Sequence, residues 1–123
     1  MTILAVDASS ERLRGLVNLL EKAFPEVAVL AKSDALAAGQ FCFNHPVDAL
    51  FAAVEMPRLD GLQLMEFARH ANPNAMLFLL VDPQKGTDEA YLREEADGLL
   101  YDPITEEQLY LALQSARRKP DVD

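Results

Sequence analysis

The run Ala49-Leu50-Phe51-Ala52-Ala53-Val54, continued by Glu55-Met56-Pro57-Arg58-Leu59-Asp60-Gly61, decides the fold. Consecutive apolar residues without polar alternation describe a strand buried on both faces, as in parallel sheets. Pro57 and the Asp60-Gly61 pair then break the chain into a turn. Asp60 with Gln63 reads as a capping box that opens a helix, and Leu64, Phe67 and Ala68 recur at helical spacing along one face of it.

The same grammar extends in both directions. Short apolar runs occur at Ile3 to Val6, Val27 to Ala31, Met76 to Val81 and Leu99 to Tyr101. Amphipathic stretches lie between and after them, carried by Leu13, Leu16, Val17 and Leu20 and by Leu109, Ala112, Leu113 and Ala116. Thr105 with Gln108 reads as a second capping box. Phe24-Pro25, His45-Pro46, Asn72-Pro73-Asn74 and Asp82-Pro83 punctuate the joins, while Gly15 and Gly39 weaken their helices by about 1 kcal/mol each relative to alanine. The pattern predicts a (βα)5 chain, an α/β three-layer sandwich around a five-stranded parallel sheet with right-handed crossovers. Residues 1–119 read as one domain and residues 120–123 as a frayed tail. In such a sheet ligands and chemistry collect beyond the carboxyl ends of the strands, at Asp7, Ala8, Ala53, Glu55, Val81, Asp82 and Asp102.

Composition narrows the function classes. The 123 residues are 50% hydrophobic and 25% charged, which fits a single folded core and not a disordered chain. No apolar stretch approaches the ~20 residues of a membrane span, and Asp7 interrupts the first apolar run, so neither a membrane anchor nor a secretory signal is expected. One cysteine, Cys42, makes no internal disulfide, and the cytoplasm is the expected location. The net charge of −9 repels phosphate backbones and anionic lipid, so no nucleic acid and no membrane are expected as partners. The acids are unevenly placed: nine fall between Asp82 and Glu107 against only Lys85 and Arg93, a local net of −7.

At this point the chain resembles the receiver domain of two-component response regulators over nearly its whole length. Val54 to Gly61 matches the turn after the third strand that carries Met-Pro-x-x-Asp-Gly in that family. Ile3 to Asp7, Pro46 to Leu50, and Asp102-Pro103-Ile104-Thr105 agree with the flanking pieces. Glu-Met-Pro and the Gly-Leu-Leu-x-x-Pro-Ile-Thr segment are closest in flavour to receivers of LytTR-type regulators. The resemblance implies a flavodoxin-like strand order 2-1-3-4-5.

Residue by residue, the resemblance also implies a degenerate pocket, a pseudo-receiver. The acidic pair after strand one becomes Asp7-Ala8. The phosphoacceptor position, four before Pro57, is Ala53. The hydroxyl position ending strand four is Val81, the phosphoryl-contacting lysine is Asp102, and the aromatic switch position is Leu99. An alanine methyl offers no oxygen to phosphorylate. Mg²⁺ needs hard oxygen ligands, and only Asp7 and the carbonyl of Glu55 remain, so no metal or cofactor is expected beyond weak residual Mg²⁺ binding at Asp7. Two carboxylates ~6 Å apart at an effective dielectric of ~20 repel by roughly 3 kcal/mol. Alanine at 8 and 53 removes such repulsion, and Asp102 either points to solvent or approaches Asp7.

The remaining residues have plainer readings. Asp7, Ser9 and Ser10 cap the first helix. His45 and His70 lie on the surface, Cys42 is a core or half-buried helix residue, and Phe41, Phe43, Phe51, Phe67 and Phe78 form core. The family's docking surface, from about Thr87 to Ala116, overlaps the acidic segment. Like charges there oppose self-pairing and favour a basic protein partner. The expected function is a non-enzymatic signalling module acting by docking, with Tyr91, Glu94, Glu95, Glu107, Tyr110 and Leu111 as the partner face. The alternatives are a working phosphorelay receiver, or the receiver half of a transcription regulator, using Glu55 or Asp60 as acceptor. A flavodoxin-like small-molecule binder is weighed against a loop at Asp7 to Arg12 that has no glycine.

Overall fold

The computed structural model describes residues 1–86 and 88–117, with side chains through Gln114. Five strands alternate with five helices: β1 (Thr2–Val6), α1 (Ser10–Ala23), β2 (Ala28–Lys32), α2 (Ala35–Asn44), β3 (Ala49–Ala53), α3 (Gly61–Ala71), β4 (Met76–Val81), α4 (Glu89–Glu95), β5 (Gly98–Tyr101) and α5 (Glu106–Arg117). A single 3-10 turn, Pro83–Lys85, sits between β4 and α4. All strands pair in parallel in the order β2-β1-β3-β4-β5, as the sequence implied. The tail expected at residues 120–123 lies outside the described residues.

The two-residue period of a strand divides the core between the sheet faces. Leu4, Val6, Leu50, Ala52, Leu77, Leu79 and Val81 face α2, α3 and α4, where they meet Ala38, Cys42, Leu64, Met65, Ala68 and Leu92. Ile3, Ala5, Phe51, Ala53, Phe78, Leu80 and Leu100 face α1 and α5, where they meet Leu13, Leu16, Leu20, Leu109 and Ala112. Phe51 and Phe78 are register partners and stack at 4.7 Å between ring centroids. Each such buried side chain contributes about 1.5–3 kcal/mol, so the central strands β1, β3 and β4 hold the molecule together.

The edges depart from the expectation of two-sided burial. β2 is exposed or half-exposed along its whole length because nothing flanks its outer edge. Two of the five phenylalanines expected in the core are not there: Phe43 is 63% exposed and Phe67 37%. Helical period places them on the outer surfaces of α2 and α3, whereas Phe51 and Phe78 project from central strands.

Local signals fix the turns. Asp60 and Gln63 form the full capping box, with both reciprocal bonds made. Gly61 starts α3 hard against β3, and a β-carbon there would collide with the backbone carbonyl oxygen of Ala53. At α5 only half of the expected box forms. Thr105 Oγ1 accepts from Gln108 N at 3.2 Å, but the Gln108 amide turns to the edge strand, accepting from Tyr101 N (2.7 Å) and donating to Tyr101 O (3.0 Å). Among the described residues no helix is long and apolar enough to cross a membrane.

Candidate functional site

The carboxyl ends of β1, β3, β4 and β5 converge on a small cavity of about 40 Å³ lined by Asp7, Arg12, Ala53, Val54, Glu55, Leu80, Val81, Asp82, Lys85, Asp102 and Ile104. Five of the seven residues named for the expected pocket are therefore brought together: Asp7, Ala53, Glu55, Val81 and Asp102. Ala8 does not line the cavity, although it directly follows Asp7. Leu99 packs instead against the core on the α2–α3–α4 side and lines a different groove, on the far side of β5.

Asp7 is the one buried charged residue among those described, at 1% exposure. An uncompensated carboxylate there would cost several kcal/mol. Arg12, on the first turn of α1, supplies the compensation. Its Nε donates to Asp7 Oδ2 and its Nη2 to Oδ1, each at 3.1 Å, a bidentate fork on a planar acceptor. Ser9 N also donates to Oδ1, at 2.9 Å. Ser9, not Asp7, is the N-cap of α1, and its hydroxyl accepts from Arg12 N. The expected shared capping role thus divides: Ser9 caps, Asp7 anchors Arg12, and Ser10 is the first helical residue.

The electrostatics of the cavity follow from that pair. The Arg12 guanidinium is raised above its ordinary value, chiefly by its hydrogen bonds to Asp7, against a lowering by burial, with the charges of Asp7, Asp102 and Asp82 adding to the rise. Asp102 is exposed at the rim, and its charge adds to that of Asp7 in raising Arg12. A second cation, Lys85, reaches from the 3-10 turn to Glu55 Oε2 at 3.2 Å. Both of these side chains are more than half exposed, so that pair contributes at most about 1 kcal/mol. Asp82 Oδ1 is used as the cap of the 3-10 turn.

A full positive charge already lies 3.1 Å from each oxygen of the one buried carboxylate, and Ala53 adds no ligand. Among the described residues no cluster of three or more His, Cys, Asp or Glu side chains could hold a metal. Arg12 and Lys85 were not picked out as site residues from the sequence. The available signal was that Arg12 is the first basic residue after Asp7, five positions on, across a loop that folds back at Ser9.

The second region to locate is the expected partner face. Tyr91, Tyr110 and Leu111 are exposed at 50%, 62% and 55%. A groove between α4 and α5 is floored by Gly98, Leu99 and Tyr101 and walled by Arg93 and Leu111. Leu111 lies in that groove. Tyr110 sits 100° further round α5, and its hydroxyl accepts from the Gln114 amide, while Tyr91 is outside the groove lining. The acidic segment is less free than its count suggests. Asp88 caps α4 and Asp97 Oδ2 accepts from Leu77 N, whereas Glu94 and Glu107 face solvent and Glu95 is half-buried. Tyr101 ties the groove floor to α4: its hydroxyl donates to Glu89 Oε2 (3.0 Å) and accepts from Arg93 Nη2 (2.9 Å). Burial, and then the Glu89 hydrogen bond, raise that phenol above its ordinary value.

With the fold and cavity in view, the resemblance to known proteins takes shape. No family model matches the chain. Among solved structures it superposes on the receiver domain of AraT, a response regulator from Geobacillus stearothermophilus, with TM-score 0.77 and 25% identity over 95% of this chain and 93% of that one. A response regulator receiver protein from Sinorhizobium medicae gives TM-score 0.79 at 21% identity, covering 98% and 97%. The chemotaxis protein CheY4 of Vibrio cholerae gives 0.76 at 22%, covering 94% and 97%. The chain has the fold of response-regulator receiver domains. In sequence it is 32% identical over 94 residues, 76% of its length, to a protein-glutamate methylesterase/protein-glutamine glutaminase of Pseudomonas aeruginosa, and 32% over 81 residues to one of Rhodospirillum centenum. The chain spans only about a fifth to a quarter of the length of these curated relatives.

Proposed function

We propose that this chain is a receiver-type signalling module that does no phosphoryl chemistry of its own and acts by docking a protein partner. The observation that carries the reading is the Asp7–Arg12 fork beside Ala53. Phosphoryl transfer to a receiver carboxylate calls for an acceptor oxygen and for positive charge that stabilises the transferred group. Here the acceptor position is a methyl, the lysine position is Asp102, and the nearest fixed cation is committed to Asp7. The two alternative acceptors are also engaged, Glu55 with Lys85 and Asp60 as the cap of α3. The methylesterase and glutaminase activities in the relatives' names are not carried over to this chain.

The partner is a protein with a basic surface, neither nucleic acid nor membrane, met in the cytoplasm. Glu94 and Glu107, exposed on either side of the α4–α5 groove, supply the attraction, and Leu111 supplies an apolar anchor. Incubation with acetyl phosphate and Mg²⁺ followed by intact-mass measurement is expected to leave the mass unchanged. A stoichiometric +80 Da adduct lost in hydroxylamine would return the chain to the working receivers. Reversal of Glu94, Glu95 and Glu107 to lysine is expected to release partners captured by the native chain, and retention of all of them would move the docking face elsewhere.

A further inference from the structure

We propose that Arg12 is a built-in counter-cation that takes the place of a divalent metal ion at Asp7, so that the β1–α1 loop keeps one form whether or not such ions are present. This rests on the receiver-type reading above, because it is the resemblance to receivers that implies a cation beside Asp7. It deepens that reading by naming the side chain that holds the site in the metal's stead and the residue change that would expose it.

Arg12 stands where its own helix would not favour it. α1 starts at Ser10 behind the Ser9 cap, so Arg12 lies in the first turn, where the helix dipole favours acids such as Glu11 and disfavours cations. Asp7 supplies the compensating attraction. Arg12 Nε and Nη2 each take a different oxygen of that carboxylate at 3.1 Å, and Ser9 N takes a further position on Oδ1 at 2.9 Å. A carboxylate has about four lone-pair sites, so these three bonds nearly fill it. The Asp7 side chain is 2% exposed and that of Arg12 39%, which puts the cation on the solvent side of the acid. An incoming ion must displace the whole fork and then lie beside the charge it displaced.

The other oxygens around the cavity do not offset that cost. Ala53 presents a methyl, Glu55 Oε2 pairs with Lys85 at 3.2 Å, and Asp82 Oδ1 accepts from Gln84 N at 3.0 Å. Mg²⁺ asks for a near-octahedral shell of oxygens, whereas a guanidinium is satisfied by one planar carboxylate met edge-on. One arginine and one aspartate sum to zero, so the buried acid is neutralised from within the chain. Arginine also stays protonated at every working pH, which makes it a counter-cation that neither dissociates nor titrates.

Paramagnetic Mn²⁺ is the probe, read by NMR, with thermal melts in MgCl2 or in NaCl of equal ionic strength beside it. In the native 123-residue chain the amides of Ala8, Ser9 and Val54 are expected to broaden no more than in the double variant Asp7→Asn with Arg12→Met, and MgCl2 to leave the melting temperature unchanged. Arg12→Met alone keeps the stem and removes the charge. It is expected to melt on the order of 10 °C lower, to recover part of that loss in MgCl2, and to bind Mn²⁺ at Asp7 about fivefold or more tightly than the native chain. Adding Asp7→Asn should remove the Mg²⁺ response. Arg12→Lys, which keeps the charge without the fork, should stay unresponsive to Mg²⁺. Selective broadening at Ala8, Ser9 and Val54 in the native chain, or a native melting temperature raised by MgCl2, overturns the assignment, and this holds even where Arg12→Met does not fold. A folded Arg12→Met that melts like the native chain and ignores both ions overturns it too. A phosphoryl adduct on another acid would instead sink the docking reading and leave these outcomes as they are.

Discussion

The flank made of α2 and α3 and the flank made of α4 and α5 cover the same sheet, but different forces hold them. On the first, an uncharged helix lies against Leu64, Met65 and Ala68 of α3, with Cys42 fully buried between them and the sheet. On the second, α4 is only seven residues long and buries a single side chain, Leu92. It stays in place through polar ties: Tyr101 to Glu89 and Arg93, Arg69 Nη2 to the Glu95 carbonyl at 2.9 Å, and the Asp88 cap. A helix of that length has no independent stability in water. The dry flank is therefore rigid and sensitive to volume, while the wet flank is poised near local opening and sensitive to charge.

The largest effect expected from that contrast is at Leu92. Leu92→Ala removes the one apolar anchor of α4 and should cost about 3 kcal/mol. Hydrogen exchange should show the amides of α4 losing protection before those of α2 and α3. If protection falls uniformly, α4 is part of the global folding unit and the contrast fails.

Next comes Cys42, which probes the dry flank. Burial pushes its thiol up to about 11. The unfolded thiol ionises near its ordinary value of 9.0, so the stabilising preference for the neutral form is complete below that pH. It is lost as pH rises from there to about 11, and loss stops once the folded thiol also ionises. The total amounts to roughly 3 kcal/mol at 1.36 kcal/mol per pH unit. Urea titrations at pH 8 and pH 11 should show a gap between native chain and Cys42→Ala that shrinks at the higher pH. A constant gap would mean water reaches the thiol.

The smallest effect sharpens the contrast from the other side. Tyr101→Phe deletes two partly exposed hydrogen bonds to charged groups, worth about 1 kcal/mol together. Exchange in α4 should quicken about fivefold with no change in α2. An equal response on both flanks would show that Tyr101 works through the strand and not through α4.

How much of this was legible beforehand depended on the range of the interaction that fixed each feature. β3 and β4 could be read to within a residue at their ends because a continuous apolar run is a local property, and the Asp60–Gln63 cap needs only a three-residue spacing. The low burial of β2 was not legible, since whether a strand lies at an edge depends on pairings made elsewhere. Phe43 and Phe67 were misplaced for a related reason: Phe43 lies in a helix without charged residues, where composition does not mark the outer side, and Phe67 sits beside the buried Ala68 at the margin of its helix's apolar face. In the cavity, the convergence of Asp7, Ala53, Val81 and Asp102 was read from strand ends, but the Arg12 fork depends on the path of the loop through Ser9. Gln108 shows the same limit at α5, where its amide could serve the helix start or the strand edge, and only the folded chain decides.

The contact between Gly61 and the Ala53 carbonyl has one further consequence. Any side chain at 61 would pry the third helix off its strand, whatever chemistry takes place nearby. The Asp60-Gly61 signature is thus a record of steric fit between the start of the helix and the strand behind it. Detection methods keyed to that signature sort proteins by backbone path, and reactivity must be read from other letters.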